Sequence, residues 1–206
     1  MRVPAAAALK RLREGNRRFV SDERKFDVRA SHSRREAVAD GQEPFAIVLG
    51  CSDSRVPAEV IFDHGFGDLF VIRVAGNIVA PSQVGSVEFA AMRFETRLVV
   101  VLGHTQCGAI SAAFEQVTSP TRQSSNVQSI VDRIRPSVET VIAAHGPAAD
   151  TGAILRQAVR ANVRASADHL RHASPILERL IQSDGLRVVG AEYSLETGEV
   201  DFFDGA

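Results

Sequence analysis

The chain has 206 residues, of which 45% are apolar and 24% charged, and a net charge of −1. That length and composition suit a soluble globular chain with a core of its own, without disulfides or a metal as staples. They exclude the basic field that would hold nucleic acid or an anionic membrane, and no apolar run approaches the roughly 20 residues that span a bilayer. Met1 to Val20 mixes alanines with Lys10, Arg11, Arg13, Arg17 and Arg18 and lacks the unbroken apolar stretch of a signal peptide, so a cytoplasmic chain is expected. In that reducing compartment Cys51 and Cys107 are not expected to form a disulfide.

In residues 5–20, Ala5, Ala8, Leu9, Leu12, Phe19 and Val20 fall near one stripe with arginines opposite, which predicts an amphipathic helix. Residues 21–33 are too charged for a core and read as a surface loop, followed by a short helix near residues 34–40. Residues 45–50 and 98–103 are continuous apolar runs of strand length, the pattern of parallel strands covered on both faces. Between them the sequence predicts a short helix opening at Pro57, a strand over residues 69–74 and a helix at about residues 82–94. After Cys107 the chain turns helical. Val127, Ile130, Val131, Ile134, Val138, Val141 and Ile142 keep helical spacing, which Pro136 should kink or divide. A helix follows over Thr151–His172, and Ser174-Pro175 supplies an N-cap and first-turn proline for another ending near Ser183. An apolar strand over residues 186–191 and a Thr197-Gly198 turn lead to a last strand near residues 200–203, antiparallel at the edge. Alternating strands and helices predict an α/β fold. Its central sheet is mainly parallel, about four parallel strands plus the edge strand, flanked by helices. A single domain is expected, residues 1–43 forming an N-terminal helical arm and residues 44–206 the α/β core.

The two apolar runs both end in Leu-Gly. Cys51 follows one and His104 the other. If the runs are neighbouring parallel strands, both residues emerge at the carboxyl edge of the sheet, where open α/β sheets bind ligands. Gly50 and Gly103 leave room for the backbone beneath such a site. Cys107 comes three residues after His104, close enough in a tight turn to face the same point, and Gly108 follows it. Two thiolates and one imidazole suit zinc, and three protein ligands would leave a fourth position for water, whose pKa falls from about 15.7 to about 7 on the metal. The spacing alone also fits two buried thiols beside a core histidine. Asp53, two residues beyond Cys51, could fill the fourth position or pair with Arg55, whose planar fork accepts a carboxylate. The same pair on a plain surface would be worth under about 1 kcal/mol.

Taken together, Cys51-Ser52-Asp53-Ser54-Arg55 and His104-Thr105-Gln106-Cys107-Gly108 resemble the β-carbonic anhydrase family, as do Arg73-Val74-Ala75-Gly76-Asn77 and Gly85-Ser86-Val87-Glu88-Phe89. The resemblance runs from about Leu9 to Phe203. It implies one zinc ion on Cys51, His104 and Cys107, with Asp53 as fourth ligand in a closed state. It implies an Asp53–Arg55 catalytic dyad and the reversible hydration of carbon dioxide to bicarbonate. By matching position, Gln42 becomes a substrate donor, Phe70, Ala75 and Phe89 an apolar pocket wall, and Gly108 a further substrate-side residue. The implied unit is a homodimer or homotetramer whose N-terminal helix lies across the partner. Some members bind bicarbonate away from the metal through a Trp, an Arg and a Tyr. Arg73 and Tyr193 match, but Val48 stands at the Trp position and the chain has no Trp. Alternatives are hydrolysis of carbonyl sulfide or carbon disulfide at the same ligands, a non-catalytic zinc site closed by Asp53, and thiol chemistry with Cys107 as nucleophile and His104 as its base. His32, His64, His145, His169 and His172 show no convergent partners in the sequence, although Asp63 and His64 could pair.

Overall fold

In a computed structural model of the chain, residues 2–25, 32–146, 150–172 and 174–206 are described. Helix α1 (Ala5–Val20) leads, followed by α2 (His32–Ala37), β1 (Ala46–Gly50), α3 (Ala58–Ile61), β2 (Leu69–Arg73), a 3₁₀ turn (Ala75–Asn77) and α4 (Pro81–Arg93). Then come β3 (Leu98–His104), α5 (Gly108–Thr118), α6 (Ser125–His145), α7 (Thr151–His172), α8 (Pro175–Ser183), β4 (Arg187–Tyr193) and β5 (Val200–Asp204). Part of the expected loop at 21–33 lies outside the described residues.

The strand order is β2-β1-β3-β4-β5, with β5 antiparallel to β4 and the other pairs parallel. Every residue of β1 and β3 is buried, as expected for continuous apolar strands covered on both faces. Alternation divides them between two layers. Ala46, Val48, Leu98, Val100 and Leu102 pack with α1 and α3 on one face. Ile47, Leu49, Val99 and Val101 pack with α4, α7 and α8 on the other. The chain runs from β1 outward to β2 and then crosses to β3 on the other side of β1. The order therefore reverses between β1 and β3, and the crevice at their carboxyl ends is the natural ligand position.

Two local expectations change. Pro136 does not divide α6, which runs unbroken through it. The proline forfeits one backbone bond, but Val131 and Ile134 before it and Val138 and Val141 after it are all buried, so packing holds both halves in line. Val20 is 43% exposed and leaves the predicted stripe. Gly15 and Asn16 are buried instead. A Cβ on Gly15 would sit 1.8 Å from the Phe62 carbonyl oxygen, so only glycine lets α1 approach α3 so closely. Asn16 completes the seam by donating to the Ile61 and Gly198 carbonyls and accepting from Val200 N–H. Asp63 is 2% exposed and holds Arg18 and the Lys25 N–H, while His64 Nδ1 lies 3.6 Å from Asp68.

Candidate metal centre

Strand pairing delivers the centre. Gly50 lies opposite Leu102 on β3 and Arg73 on β2, so Cys51 leaves β1 beside the end of β3, where His104 is the last residue. The chain then turns sharply through Thr105 and Gln106. Gln106 adopts a φ of 54°, and Cys107 becomes the N-cap residue of α5. A glycine is required beneath His104: a Cβ on Gly103 would lie 2.5 Å from Val163 of α7. Gly50 has no such constraint, its nearest neighbour being the Leu102 carbonyl at 3.9 Å.

The Cys51 and Cys107 sulfurs and a His104 ring nitrogen all lie within 4.8 Å of one another, and all three residues are buried. His104 Nδ1 is 2.8 Å from the Thr105 carbonyl. A carbonyl only accepts, so Nδ1 carries the proton and Nε2 presents its lone pair to the sulfurs. Nε2 is buried with no hydrogen-bond partner among the described residues, a costly state in a metal-free interior. The donor set therefore fits a zinc ion: soft sulfur and imidazole ligands, one lone pair with nothing else to bind, and a further polar group waiting at the rim. Gly76 N–H donates to Cys51 Sγ at 3.3 Å, which favours the thiolate. The neighbouring Cys107 thiol, against the cost of burial, draws the Cys51 thiol below its ordinary range, while Cys51, reinforced by burial, pushes Cys107 upward. Burial resists charging of His104, but the neighbouring Cys51 sulfur outweighs it and the net direction is up.

Asp53 faces this cluster, its Oδ2 3.9 Å from His104 Nε2. Arg55 grips it with three donors: its backbone N–H and Nε reach Oδ1 at 2.9 Å each, and Nη2 reaches Oδ2 at 2.7 Å. These bonds from Arg55 hold the Asp53 carboxyl well below the usual carboxylate range. Arg73 fixes the loop from below by donating to the Cys51 carbonyl at 3.0 Å and the Asp53 carbonyl at 2.6 Å.

Residues 46–200 match the family described as Carbonic anhydrase. The chain belongs to the β-carbonic anhydrase family. It is similar to Carbonic anhydrase 2 of Mycobacterium tuberculosis strain H37Rv, with 38% identity over 192 residues that cover 93% of this chain and 89% of that protein. It is also similar to the carbonic anhydrase of Pseudomonas aeruginosa, at 33% identity covering 83% of this chain and 78% of that one. Among solved structures, the Coccomyxa β-carbonic anhydrase in complex with acetazolamide superposes with a TM-score of 0.74 at 28% identity, covering 95% of this chain and 86% of that one. The β-carbonic anhydrase CafA of Aspergillus fumigatus shares the fold with a TM-score of 0.75 at 24% identity, over 98% of this chain and 91% of that one.

The remaining residues that the family resemblance pointed to are scattered. Gln42 precedes β1, and the five residues of that strand separate it from Cys51 by roughly 16 Å or more. It lines a cavity of about 580 Å³ at the amino edge of the sheet with Arg2, Arg11, Phe45 and Arg93. Phe70 on β2 and Phe89 on α4 have ring centres 6.2 Å apart and share Phe94 as a neighbour, and Phe89 is 54% exposed. Ala75 opens the 3₁₀ turn whose Gly76 faces Cys51, and Gly108 opens α5 beside Cys107. Val48 and Tyr193 belong to one buried cluster on the α1 face. Arg73 lies on β2, three strands from Tyr193, and its donors go to backbone carbonyls.

The Gly76 contact with Cys51 was not read from the motif that contains it, and Asn162 and Glu196 were missed. Asn162 is 2% exposed and donates to the Gly76 carbonyl at 2.8 Å, fixing the turn that serves Cys51. Its signal was present: a polar residue between Val159 and Val163 on the buried face of α7. Glu196 accepts from Thr105 Oγ1 and Gln106 Nε2. Nothing local to its turn announces that contact.

Proposed function

We propose that the chain holds one zinc ion through Cys51, His104 and Cys107 and catalyses the reversible hydration of carbon dioxide to bicarbonate and a proton. The observation that carries this is the unpartnered, buried His104 Nε2 facing two sulfurs, with an Arg55-held carboxylate at the rim. Bound there, a zinc ion would supply a water whose pKa falls to about 7, a nucleophile at neutral pH. The chain's own residues do the rest. Arg55 keeps Asp53 ionised, so Asp53 can accept a hydrogen bond from the nucleophile and cannot donate one, which sets the direction of its lone pair. Gly76 N–H and the Thr105 carbonyl hold Cys51 and His104 in place. The Asp53–Arg55 grip favours this reading over a zinc site permanently closed by Asp53, because three donors compete for that carboxylate.

The active unit is proposed as a homodimer or homotetramer of single-domain chains in the cytoplasm. Phe89 and Met92, 54% and 50% exposed on α4, give an apolar face for self-association. β-Carbonic anhydrases of Sordaria macrospora, which share this fold, are tetrameric. No described helix is long and apolar enough to cross a membrane. In such a unit Gln42 serves a second copy's centre, since it lies at the far end of its own β1, while Phe70, Ala75, Phe89 and Gly108 wall the substrate side. The test compares zinc-loaded chain with chelator-stripped chain on carbon dioxide and on carbonyl sulfide. Carbon dioxide hydration that disappears on stripping and returns with zinc supports the proposal. A zinc-dependent preference for carbonyl sulfide transfers the site to that substrate.

A further inference from the structure

Glu196 stands in the turn between β4 and β5, about ninety residues from the ligand turn in sequence. Its carboxylate nevertheless takes a bond from each of the two residues that separate His104 from Cys107. Thr105 Oγ1 donates to Oε2 at 2.7 Å, and Gln106 Nε2 donates to Oε1 at 2.6 Å. Bonds to a charged acceptor are the stronger kind. Other bonds tie the same two turns together. Thr105 N–H donates to the Tyr193 carbonyl at 3.0 Å and Leu195 N–H donates to Thr105 Oγ1 at 3.0 Å, while within its own turn Glu196 Oε2 also accepts from Ser194 Oγ at 3.2 Å.

Two features make this grip matter at the centre. Gln106 sits at φ 54°, a left-handed conformation that a residue with a side chain seldom adopts unless its surroundings hold it there. Relaxation of Gln106 would turn Cys107 relative to His104, because only Thr105 and Gln106 separate them. The Gln106 carbonyl also accepts from Arg55 Nη2 at 3.4 Å, and the Arg55 fork holds Asp53. A single carboxylate thus stands behind the spacing of two ligands and behind the arginine of the dyad.

We propose that Glu196 is a positioning residue of the metal centre, which holds Thr105 and Gln106 so that His104 and Cys107 converge on one ion and Arg55 stays over Asp53. This rests on the metal-binding reading above. Outer partners that orient metal ligands typically change affinity or activity by about 10- to 100-fold when removed.

The test uses the full chain as wild type, Glu196→Ala and Gln106→Ala, the last cutting the same tie from its other end. Zinc release to an excess of a chromogenic chelator is timed, and the visible spectrum of the cobalt(II)-loaded chain is recorded. Thermal unfolding of each zinc-loaded protein is measured alongside. The expected result is zinc release faster by about 10-fold or more in both variants, with an altered cobalt spectrum at temperatures where the chain remains folded. Should Glu196→Ala fail to fold, Gln106→Ala decides alone. Wild-type release rates and an unchanged cobalt spectrum in the folded variants would overturn the role of Glu196 while leaving the metal centre intact. A wild-type chain that takes up neither zinc nor cobalt would remove the centre itself, and the positioning role with it.

Discussion

Asp53 and Asp184 are each gripped by arginine, at opposite ends of the sheet. Asp53, at the carboxyl edge, is held by Arg55. Asp184, just before β4 at the amino edge, is held by Arg97 and Arg2. In each case the arginine bonds draw the carboxyl below its ordinary value. The pairs differ in what lies behind them. Asp53 looks onto an unpartnered His104 nitrogen at 3.9 Å and two buried sulfurs. Asp184 sits on the Arg97 side chain, which is 6% exposed and spends another donor on the Ala91 carbonyl. An ion pair by itself says little about function, and the neighbours that share its space decide between a catalytic pair and a structural clamp.

The sharpest way to break the contrast is to remove what lies behind Asp53. His104→Ala should bring bound zinc close to zero per chain and carbon dioxide hydration to the buffer rate, as checked by metal analysis and stopped flow on one sample. The Asp53–Arg55 pair would then be a clamp like the other. Next comes Asp53→Ala, which should keep its zinc and lose turnover by about 10²- to 10⁴-fold, the range for a lost proton-handling group. Asp184→Ala should turn over at the wild-type rate, and a matching loss in both variants would dissolve the distinction.

Asp184→Ala should instead lower Tm by about 2–4 °C, the scale of one modest contact in a chain of this size, because the Arg97 charge loses its partner. The Asp184 carboxyl is depressed on folding. Its contribution is therefore present above the ordinary carboxylate pKa, about 3.9, and fades as pH falls below it. The Tm difference between wild type and Asp184→Ala should accordingly narrow in acid, as a pH series of melting curves would show. The smallest expected loss of turnover comes from neutralising Glu196 in place. Bonds from Thr105 and Gln106 hold its carboxyl down at about 2, so it stays charged throughout neutral pH. Glu196→Gln should lower the activity plateau without moving the inflection of the pH–rate profile.

Much of this was legible in the sequence because it rests on local patterns. The two apolar runs ending in Leu-Gly read as covered parallel strands, and their pairing as neighbours brings Cys51 and His104 together. The meaning of their glycines was not legible. Gly103 is demanded by Val163 of α7, while Gly50 has space around it, and only the helix packing distinguishes them. Pro136 misled for the same reason: its local cost is real, but the buried residues on either side of it hold α6 in one piece. Asn16 was invisible as a structural tie, since its partners are backbone groups of distant segments, while Asn162 showed only as a polar residue on a buried face, its Gly76 partner hidden. Gln42 shows the limit of reading by offset. Nine residues before Cys51 in sequence, it lies a full strand away in space, so any role at a centre depends on assembly.

Carbon dioxide hydration by stopped flow at pH about 7 and about 8.5, with zinc measured on the same sample, tests the central claim most directly. Fast hydration at the higher pH with about one zinc per chain is the predicted result. One zinc per chain with no hydration at either pH would contradict it, leaving a centre that binds metal without performing this reaction.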